Sequence, residues 1–252
     1  MNSRISKNFD KSARTYRDRS GLQRNVAARC VDRLRNEENG LVLEIGAGGG
    51  FVFEEFLRRQ KKYRNYLALD ISEKMLRLAP KNGLHKIRAD GEELPFSSPV
   101  FDTLLSSSTM QWFSAPEKSI PECLRLVKSA GWFSLAFFVA GTFPEMARAA
   151  EASGFGTVHE LPRVEPCLEA VKRFCPDVEH DTSERAVHYP NPLAFLKSHK
   201  QTGATWTKGP KRANKKGLKD FCAFYAENFR NQEGGVIATY KILYLSGKTK
   251  PS

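Results

Sequence analysis

The sequence lacks any apolar run near the roughly 20 residues that a helix needs to cross a bilayer. No apolar stretch of signal-peptide length follows the charged residues after Met1. We therefore expect no membrane partner and a cytoplasmic location.

Cysteine is scarce and scattered. The chain has 5 cysteines among 252 residues, and no two of them stand in the C-x-x-C spacing of zinc or redox sites. Most fall on apolar positions of helical patterns, so we expect small buried hydrophobic side chains. The pairs His159-Glu160 and His180-Asp181 lack a third ligand, and no metal site is predicted.

Acidic residues are depleted in two stretches, and the formal net charge is +12. Residues 1–35 contain ten Lys or Arg against three Asp, and residues 193–219 contain eight Lys or Arg and no acid. Such stretches attract an anionic partner, which could be a nucleic acid or an acidic protein. A solvated basic face that aids solubility is the alternative interpretation.

Short apolar runs alternate with helical patterns along the chain. Strands are predicted at 41–45, 66–70, 85–89, 101–106, 132–139, 185–189 and 236–245. Residues 120–127 form a helical stripe that Gly131 should end, and Thr142 with Glu145 has the spacing of a capping box. The alternation predicts an α/β fold with a mostly parallel, doubly wound sheet.

The first predicted strand ends in glycines, in the pattern Glu44-x-Gly46-x-Gly48-x-Gly50. Glycines let the backbone turn tightly and approach a ligand. The dinucleotide pattern G-x-G-x-x-G is absent, because Phe51 occupies its last position.

Two acids end the next two strands. Asp70 is placed to accept hydrogen bonds from ribose hydroxyls, and Asp90 to accept one from an adenine amino group. Together with the glycine loop, they predict a nucleoside-binding crevice.

This constellation resembles the class I methyltransferases that use S-adenosylmethionine (AdoMet). The resemblance implies a seven-stranded Rossmann-like sheet with an antiparallel last strand and N-terminal helices that cap the site. It implies one domain over 1–252, with a cap at 1–38, a cofactor-binding core at 40–140, and a remainder at 141–252 that completes the sheet and acceptor site. AdoMet is the implied cofactor, without a metal. The implied cofactor-binding residues are Glu44, Gly46, Gly48, Gly50, Asp70, Ile71, Asp90, Gly91 and Ser107.

A narrower resemblance runs nearly end to end. The segments 8–16 with Leu22-Gln23, 106–112 and 196–205 are similar to motifs of the BioC family, the malonyl-acyl carrier protein O-methyltransferases of biotin synthesis. The segment 106–112 resembles that family's S-N-x-x-x-Q-W, except that Ser107 replaces the usual Asn.

The narrower resemblance implies methyl transfer from AdoMet to the free carboxylate of a malonyl thioester on acyl carrier protein. A carboxylate is ionised near neutral pH, so the reaction needs alignment and desolvation rather than a general base. No catalytic residue is certain; Tyr16 and Trp112 are the candidates. Candidate substrate-binding residues are Tyr16, Gln111, Trp112 and Arg148. Candidate carrier-docking residues are Lys197, Lys200, Lys211, Arg212, Lys215 and Lys216.

Two other functions stay open. A methyltransferase acting on RNA, DNA or another small molecule would suit the basic charge, although residues 106–112 contain no (N/D)-P-P-(Y/F) turn for a base amine. The other is a non-catalytic nucleic-acid-binding protein with a vestigial cofactor fold. Titration with AdoMet distinguishes this binder from an enzyme.

Overall fold

The computed structural model describes residues 2–35, 38–156, 159–202 and 215–251. The helices are α1 (Asn2–Arg19), α2 (Gly21–Asp32), α3 (Phe51–Arg58), α4 (Glu73–Leu78), α5 (Pro116–Leu124), α6 (Pro144–Ser153), α7 (Val164–Lys172), α8 (Pro192–Gln201) and α9 (Lys215–Asn228). The strands are β1 (Leu41–Ile45), β2 (Asn65–Asp70), β3 (His85–Arg88), β4 (Phe101–Ser107), β5 (Val127–Phe138), β6 (Glu179–Tyr189) and β7 (Val236–Lys248). A short 3₁₀ turn, Met110–Trp112, follows β4.

The strands form one seven-stranded sheet in the order β3-β2-β1-β4-β5-β7-β6. Strand β7 is antiparallel to both of its neighbours, and the other paired strands are parallel. The predicted α/β class and its antiparallel last strand are confirmed. The chain passes outward from β1 to β3 and then returns to β4 beside β1, which leaves a crevice at the carboxyl ends of β1 and β4.

Buried apolar side chains cover both faces of the sheet. Helices α2, α3, α8 and α9 contribute to one core cluster, and α5 and α7 contribute to the other. Strand β1 is buried on both faces, with Val42 in the first cluster and Leu43 in the second. This two-sided burial explains why β1 is an almost continuous apolar run.

Helix α1 lies over the carboxyl ends of the strands and is held there by polar contacts. The Arg17 guanidinium donates to the carbonyl oxygen of Gly49 and pairs with Glu54, each at 2.5 Å. The Ser6 hydroxyl donates to the Ile71 carbonyl at 3.3 Å, and the Ser72 hydroxyl donates to Asp10 at 2.6 Å. The predicted N-terminal cap therefore closes over the crevice.

The helical stripe at residues 120–127 is shorter than predicted. Helix α5 ends at Leu124, and Val127 already belongs to β5, where it is paired with Phe101. Gly131 does not end the helix; it lies within β5, beside a register shift between β4 and β5. A side chain on Gly131 would meet the carbonyl oxygens of Lys128 and Asp102 at 2.9 and 3.1 Å, so the irregular pairing requires glycine.

The predicted capping box is wrong. Thr142 Oγ1 donates to the Lys241 carbonyl and accepts from the Lys241 amide, at 3.0 and 2.9 Å. Glu145 accepts hydrogen bonds from both the amide and the hydroxyl of Thr239. Both side chains therefore bind β7, and tertiary bonds replace the local cap.

The sixth strand begins earlier than the predicted 185–189. Asp181 therefore lies in β6 rather than in a loop, and it pairs with Arg29 at 2.5 Å and with Arg33. Residues 203–205, the end of the segment 196–205, lie outside the described residues.

All five cysteines are free thiols; four are buried and Cys222 is half-buried. Within the four described ranges, no helix has the length and apolar character needed to span a membrane.

Candidate functional site

A cavity opens at the carboxyl ends of β1, β2 and β4, beneath α1. Its volume is about 80 Å³, and it is open to solvent on one side. Its lining residues are Ile5, Phe9, Tyr16, Ile45, Gly46, Gly48, Leu69, Asp70, Ile71, Met75, Asp90, Gly91, Glu92, Ser107, Ser108, Thr109, Trp112 and Phe113. Seven of the nine predicted cofactor-binding residues are among them; Glu44 and Gly50 are not.

The glycine loop turns sharply between β1 and α3. Gly46 and Gly48 have φ of +72° and +51°, in the left-handed region that glycine adopts without a steric penalty. The amides of Gly46 and Ala47 both donate to the Leu69 carbonyl, at 2.7 and 2.9 Å. Gly50 has φ +84° and precedes the first residue of α3, so its role is in the turn rather than in the cavity wall.

Asp70 connects the loop to β2. One carboxylate oxygen accepts from the Gly48 amide and the other from the Ser72 amide, both at 2.8 Å. Burial and, to a smaller extent, the nearby Asp10 raise the pKa of Asp70, the backbone hydrogen bonds lower it, and the net value is about 6. Because each carboxylate oxygen has two lone pairs, Asp70 can still accept hydrogen bonds from a ligand in the cavity.

Asp90 lies in the loop after β3, next to the end of β2, because the amide of the preceding residue, Ala89, donates to the Asp70 carbonyl at 3.1 Å. Its carboxylate accepts from the Glu92 amide at 2.9 Å, which fixes the turn that carries Gly91. Glu92 accepts bonds from the Ser114 amide and the Ser119 hydroxyl, at 2.8 and 2.9 Å. The loop is therefore tied to the start of α5.

Glu44 lies under the loop and is almost fully buried, with 1% of its surface exposed. The Tyr66 hydroxyl donates to its carboxylate at 2.6 Å. Burial raises the pKa of Glu44 to about 8, although the Tyr66 bond lowers it. The hydrogen bond between Tyr66 and Glu44 links the neighbouring strands β2 and β1.

Aromatic side chains wall the cavity. Tyr16 stacks on Phe51 with ring centroids 5.7 Å apart, and burial raises the pKa of its hydroxyl well above the ordinary value. Trp112 packs edge-on against Phe9 at 5.8 Å and stacks on His159 at 5.7 Å. Both predicted transfer-site residues, Tyr16 and Trp112, therefore reach the cavity.

The other substrate candidates lie elsewhere. Gln111 does not line this cavity; its amide nitrogen donates to the Ser108 carbonyl at 2.7 Å. The Arg148 guanidinium lies over the Phe229 ring at 5.3 Å and is also absent from the cavity wall. Arg148 therefore forms a cation–π contact at the end of α9 instead of reaching the cavity.

The docking candidates on α8 and α9 are at the surface. Lys197, Lys200, Lys215 and Lys216 are exposed, whereas Lys211 and Arg212 lie outside the described residues.

Several lining residues escaped the sequence interpretation. Ile5 and Phe9 share a helical face with Tyr16, at spacings of four and seven residues, and this amphipathic pattern could have identified them. No sequence pattern identifies Ser108 and Thr109, because the conformation of the turn after β4 determines whether their side chains face the cavity. Within the described part of the chain, no group of three or more His, Cys, Asp or Glu side chains could hold a metal ion.

The fold is Rossmann-like, and the cavity lies where the order of the strands reverses. A family model described as a methyltransferase domain matches residues 43–135, which include most of β1, all of β2 to β4 and most of β5. The predicted class of enzyme is confirmed, and a methyltransferase domain of this kind implies AdoMet as the methyl donor.

The chain is similar over most of its length to curated proteins. The malonyl-[acyl-carrier protein] O-methyltransferase of Geobacter sulfurreducens is 28% identical over 95% of this chain and 96% of the relative. The human mitochondrial arginine-hydroxylase NDUFAF5 is 26% identical over 90% of this chain and 69% of the relative. The resemblance to malonyl-acyl carrier protein methyltransferases is thereby confirmed.

A solved Bacillus halodurans structure, assigned as a methyltransferase, shares the fold with a TM-score of 0.63. It covers 90% of this chain and 100% of its own, at 14% sequence identity.

Proposed function

We propose that this enzyme transfers a methyl group from AdoMet to the free carboxylate of a malonyl thioester carried by acyl carrier protein, the first step toward the pimeloyl part of biotin. The observation that carries the proposal is the cavity itself, in which the glycine loop, Asp70 and Asp90 meet under α1. Similarity to the Geobacter enzyme along nearly the whole chain supports the choice of acceptor.

The cavity residues fit AdoMet. Gly46 and Gly48 present backbone without side chains, and Asp70 and Asp90 both line the cavity and supply carboxylates. Asp70 would hold the ribose and Asp90 the adenine, with Ile71 and Gly91 packing beside them. Bound AdoMet supplies a methyl group on a positively charged sulfur.

The acceptor side needs no proton transfer from the protein. An ionised carboxylate already carries the attacking lone pair, so the protein must align it and remove its water shell. Phe9, Trp112 and Phe113 give this part of the cavity apolar walls. Tyr16, whose hydroxyl stays neutral because its pKa is raised, can donate a hydrogen bond without becoming a base.

A basic stripe on α1 supports an acidic carrier as the partner. Arg4, Lys7, Lys11 and Arg14 follow the three- and four-residue spacing of one helical face, and all four are exposed. None of them forms an ion pair with another described residue. The Thr15 hydroxyl donates to the Gln201 carbonyl at 2.9 Å, which places this helix beside α8 with its exposed Lys197 and Lys200.

The acceptor is tested by offering the enzyme AdoMet with malonyl-carrier protein, acetyl-carrier protein or bulk transfer RNA. We expect mass spectrometry to find one added methyl ester on the malonyl carrier alone, because acetyl lacks a free carboxylate. Methyl groups on RNA would favour a nucleic-acid methyltransferase. A product that gains one oxygen atom would favour the hydroxylase activity for which the human relative is named.

The carrier surface is tested by charge reversal. The double variant Lys7→Glu/Lys11→Glu should raise KM for malonyl-carrier protein about tenfold at low salt, and the loss should shrink as salt screens the charges. Its kcat on malonyl-pantetheine, which has no protein surface, should stay unchanged. Arg173→Glu is the matched control, since Arg173 is exposed beside α7 on the other face of the sheet. Equal KM values for the double variant and the control would rule out docking on α1.

A further inference from the structure

Three buried polar atoms without a hydrogen-bond partner lie within residues 107–111, at the end of β4 and in the turn that follows it. They are the hydroxyl oxygens of Ser107 and Ser108 and the Oε1 atom of Gln111. Buried polar groups in folded proteins are almost always paired, because an unmade hydrogen bond costs free energy. Since Ser107 and Ser108 line the cavity, the cluster indicates a ligand that supplies the missing partners there.

Ser108 also has an unusual backbone. Its φ is +56°, in the left-handed region that non-glycine residues rarely adopt. Its amide donates to the Ala136 carbonyl at 2.7 Å, and its own carbonyl accepts from Gln111 Nε2 at 2.7 Å. Two bonds therefore hold a strained residue in place, and strain of this kind is concentrated at functional sites.

We propose that the Ser108 hydroxyl binds the carboxylate of the methyl acceptor. The inference rests on the proposed function and names the subsite for its reacting group. A carboxylate only accepts hydrogen bonds, and a hydroxyl can donate one. Among the described residues that line the cavity there is no Lys, Arg or His. An anion in the cavity can therefore receive hydrogen bonds only from neutral donors of these lining residues.

Neutral donors suit this reaction. An arginine would hold the carboxylate in an ion pair and draw charge from the attacking oxygen, whereas one hydroxyl on the other oxygen orients the group and leaves that lone pair available. The attacking oxygen forms a bond to the methyl carbon while the methyl–sulfur bond breaks. The electron pair of that bond stays on sulfur, which becomes neutral, and no proton moves.

The assignment is tested without turnover, in protein saturated with S-adenosylhomocysteine. Calorimetric titration with malonyl-pantetheine should show about a tenfold rise in Kd for Ser108→Ala, the usual loss when a hydrogen bond to a charged group is removed. The affinity for S-adenosylhomocysteine itself should not change. Ser108→Gly should lose acceptor affinity equally but melt at a higher temperature than Ser108→Ala, because glycine relieves the strain.

The matched control is Ser246→Ala, which removes another buried, unpartnered hydroxyl, in β7 and outside the cavity wall. It should leave both affinities unchanged. The inference is overturned if Ser108→Ala weakens S-adenosylhomocysteine and not the acceptor, since the hydroxyl then holds the cofactor, or if neither affinity changes. Wild-type protein that binds S-adenosylhomocysteine but no malonyl thioester would overturn the proposed function as well.

Discussion

The turn at Gly46 gives a prediction that separates backbone strain from steric conflict. A Cβ atom on Gly46 would lie 2.0 Å from Thr109 Oγ1 and 2.5 Å from Thr109 Cβ. On Gly48, in the same loop, the nearest atom to a new Cβ is Met75 Cε at 3.6 Å, which is an ordinary contact. Both glycines thus have a left-handed φ, but only Gly48 has room for a Cβ atom.

Gly48→Ala should therefore lose only the cost of the left-handed conformation, about 1 kcal/mol. For a chain of this size that lowers the melting temperature by about 2–4 °C. Gly46→Ala adds overpacking against Thr109, which cannot swing away because its hydroxyl bonds to the carbonyls of Gly46 and Ser107. The total loss should reach about 4 kcal/mol.

Urea unfolding of both variants, and of each in a Thr109→Gly background, measures the difference. Removing the Thr109 side chain should recover most of the loss in Gly46→Ala and none of the loss in Gly48→Ala, which gives a coupling energy of about 2–3 kcal/mol for the first pair. Equal destabilisation by the two alanines, or no coupling to Thr109, would refute this account of the loop.

Two further predictions concern pH. The folded-state pKa of Glu44, about 8, is above its unfolded value, so the native state binds the proton more tightly and the free energy of unfolding should fall as pH rises from about 5 to about 8. Glu44→Gln should flatten that fall in urea titrations at several pH values, and a slope identical to wild type would count against a buried, protonated Glu44. Ribose hydroxyls donate to the ionised form of Asp70, whose pKa is about 6, so affinity for S-adenosylhomocysteine should weaken below about pH 6. Asp70→Asn should remove this pH dependence, and a persisting dependence would assign it to another group.

The elements that position the nucleoside could be predicted from sequence because their signals are local. Gly46 and Gly48 indicate a tight turn. Asp70 ends an apolar strand, and in a parallel sheet the end of that strand must lie beside the turn. A strand that is buried on both faces appears in the sequence as an apolar run. The alternation of such runs with helical patterns was therefore enough to predict the fold class.

Residues whose roles depend on tertiary contacts could not be predicted in this way. Thr142 and Glu145 match a local capping pattern, yet both bind β7, which is distant in sequence. Gln111 was expected to touch substrate but holds the Ser108 carbonyl instead. Ser108 was identified as a candidate acceptor-binding residue only from its φ and its unpaired hydroxyl. Neither property can be predicted from the amino-acid type.

The central claim is that Asp70 and Asp90 hold an adenosine in the cavity. Calorimetric titration of wild type, Asp70→Ala and Asp90→Ala with S-adenosylhomocysteine tests it most directly, with the exposed Asp220→Ala on α9 as control. We predict at least a tenfold loss of affinity for each cavity variant, about 1.4 kcal/mol or more, and none for the control. Unchanged affinity in either cavity variant would contradict the claim.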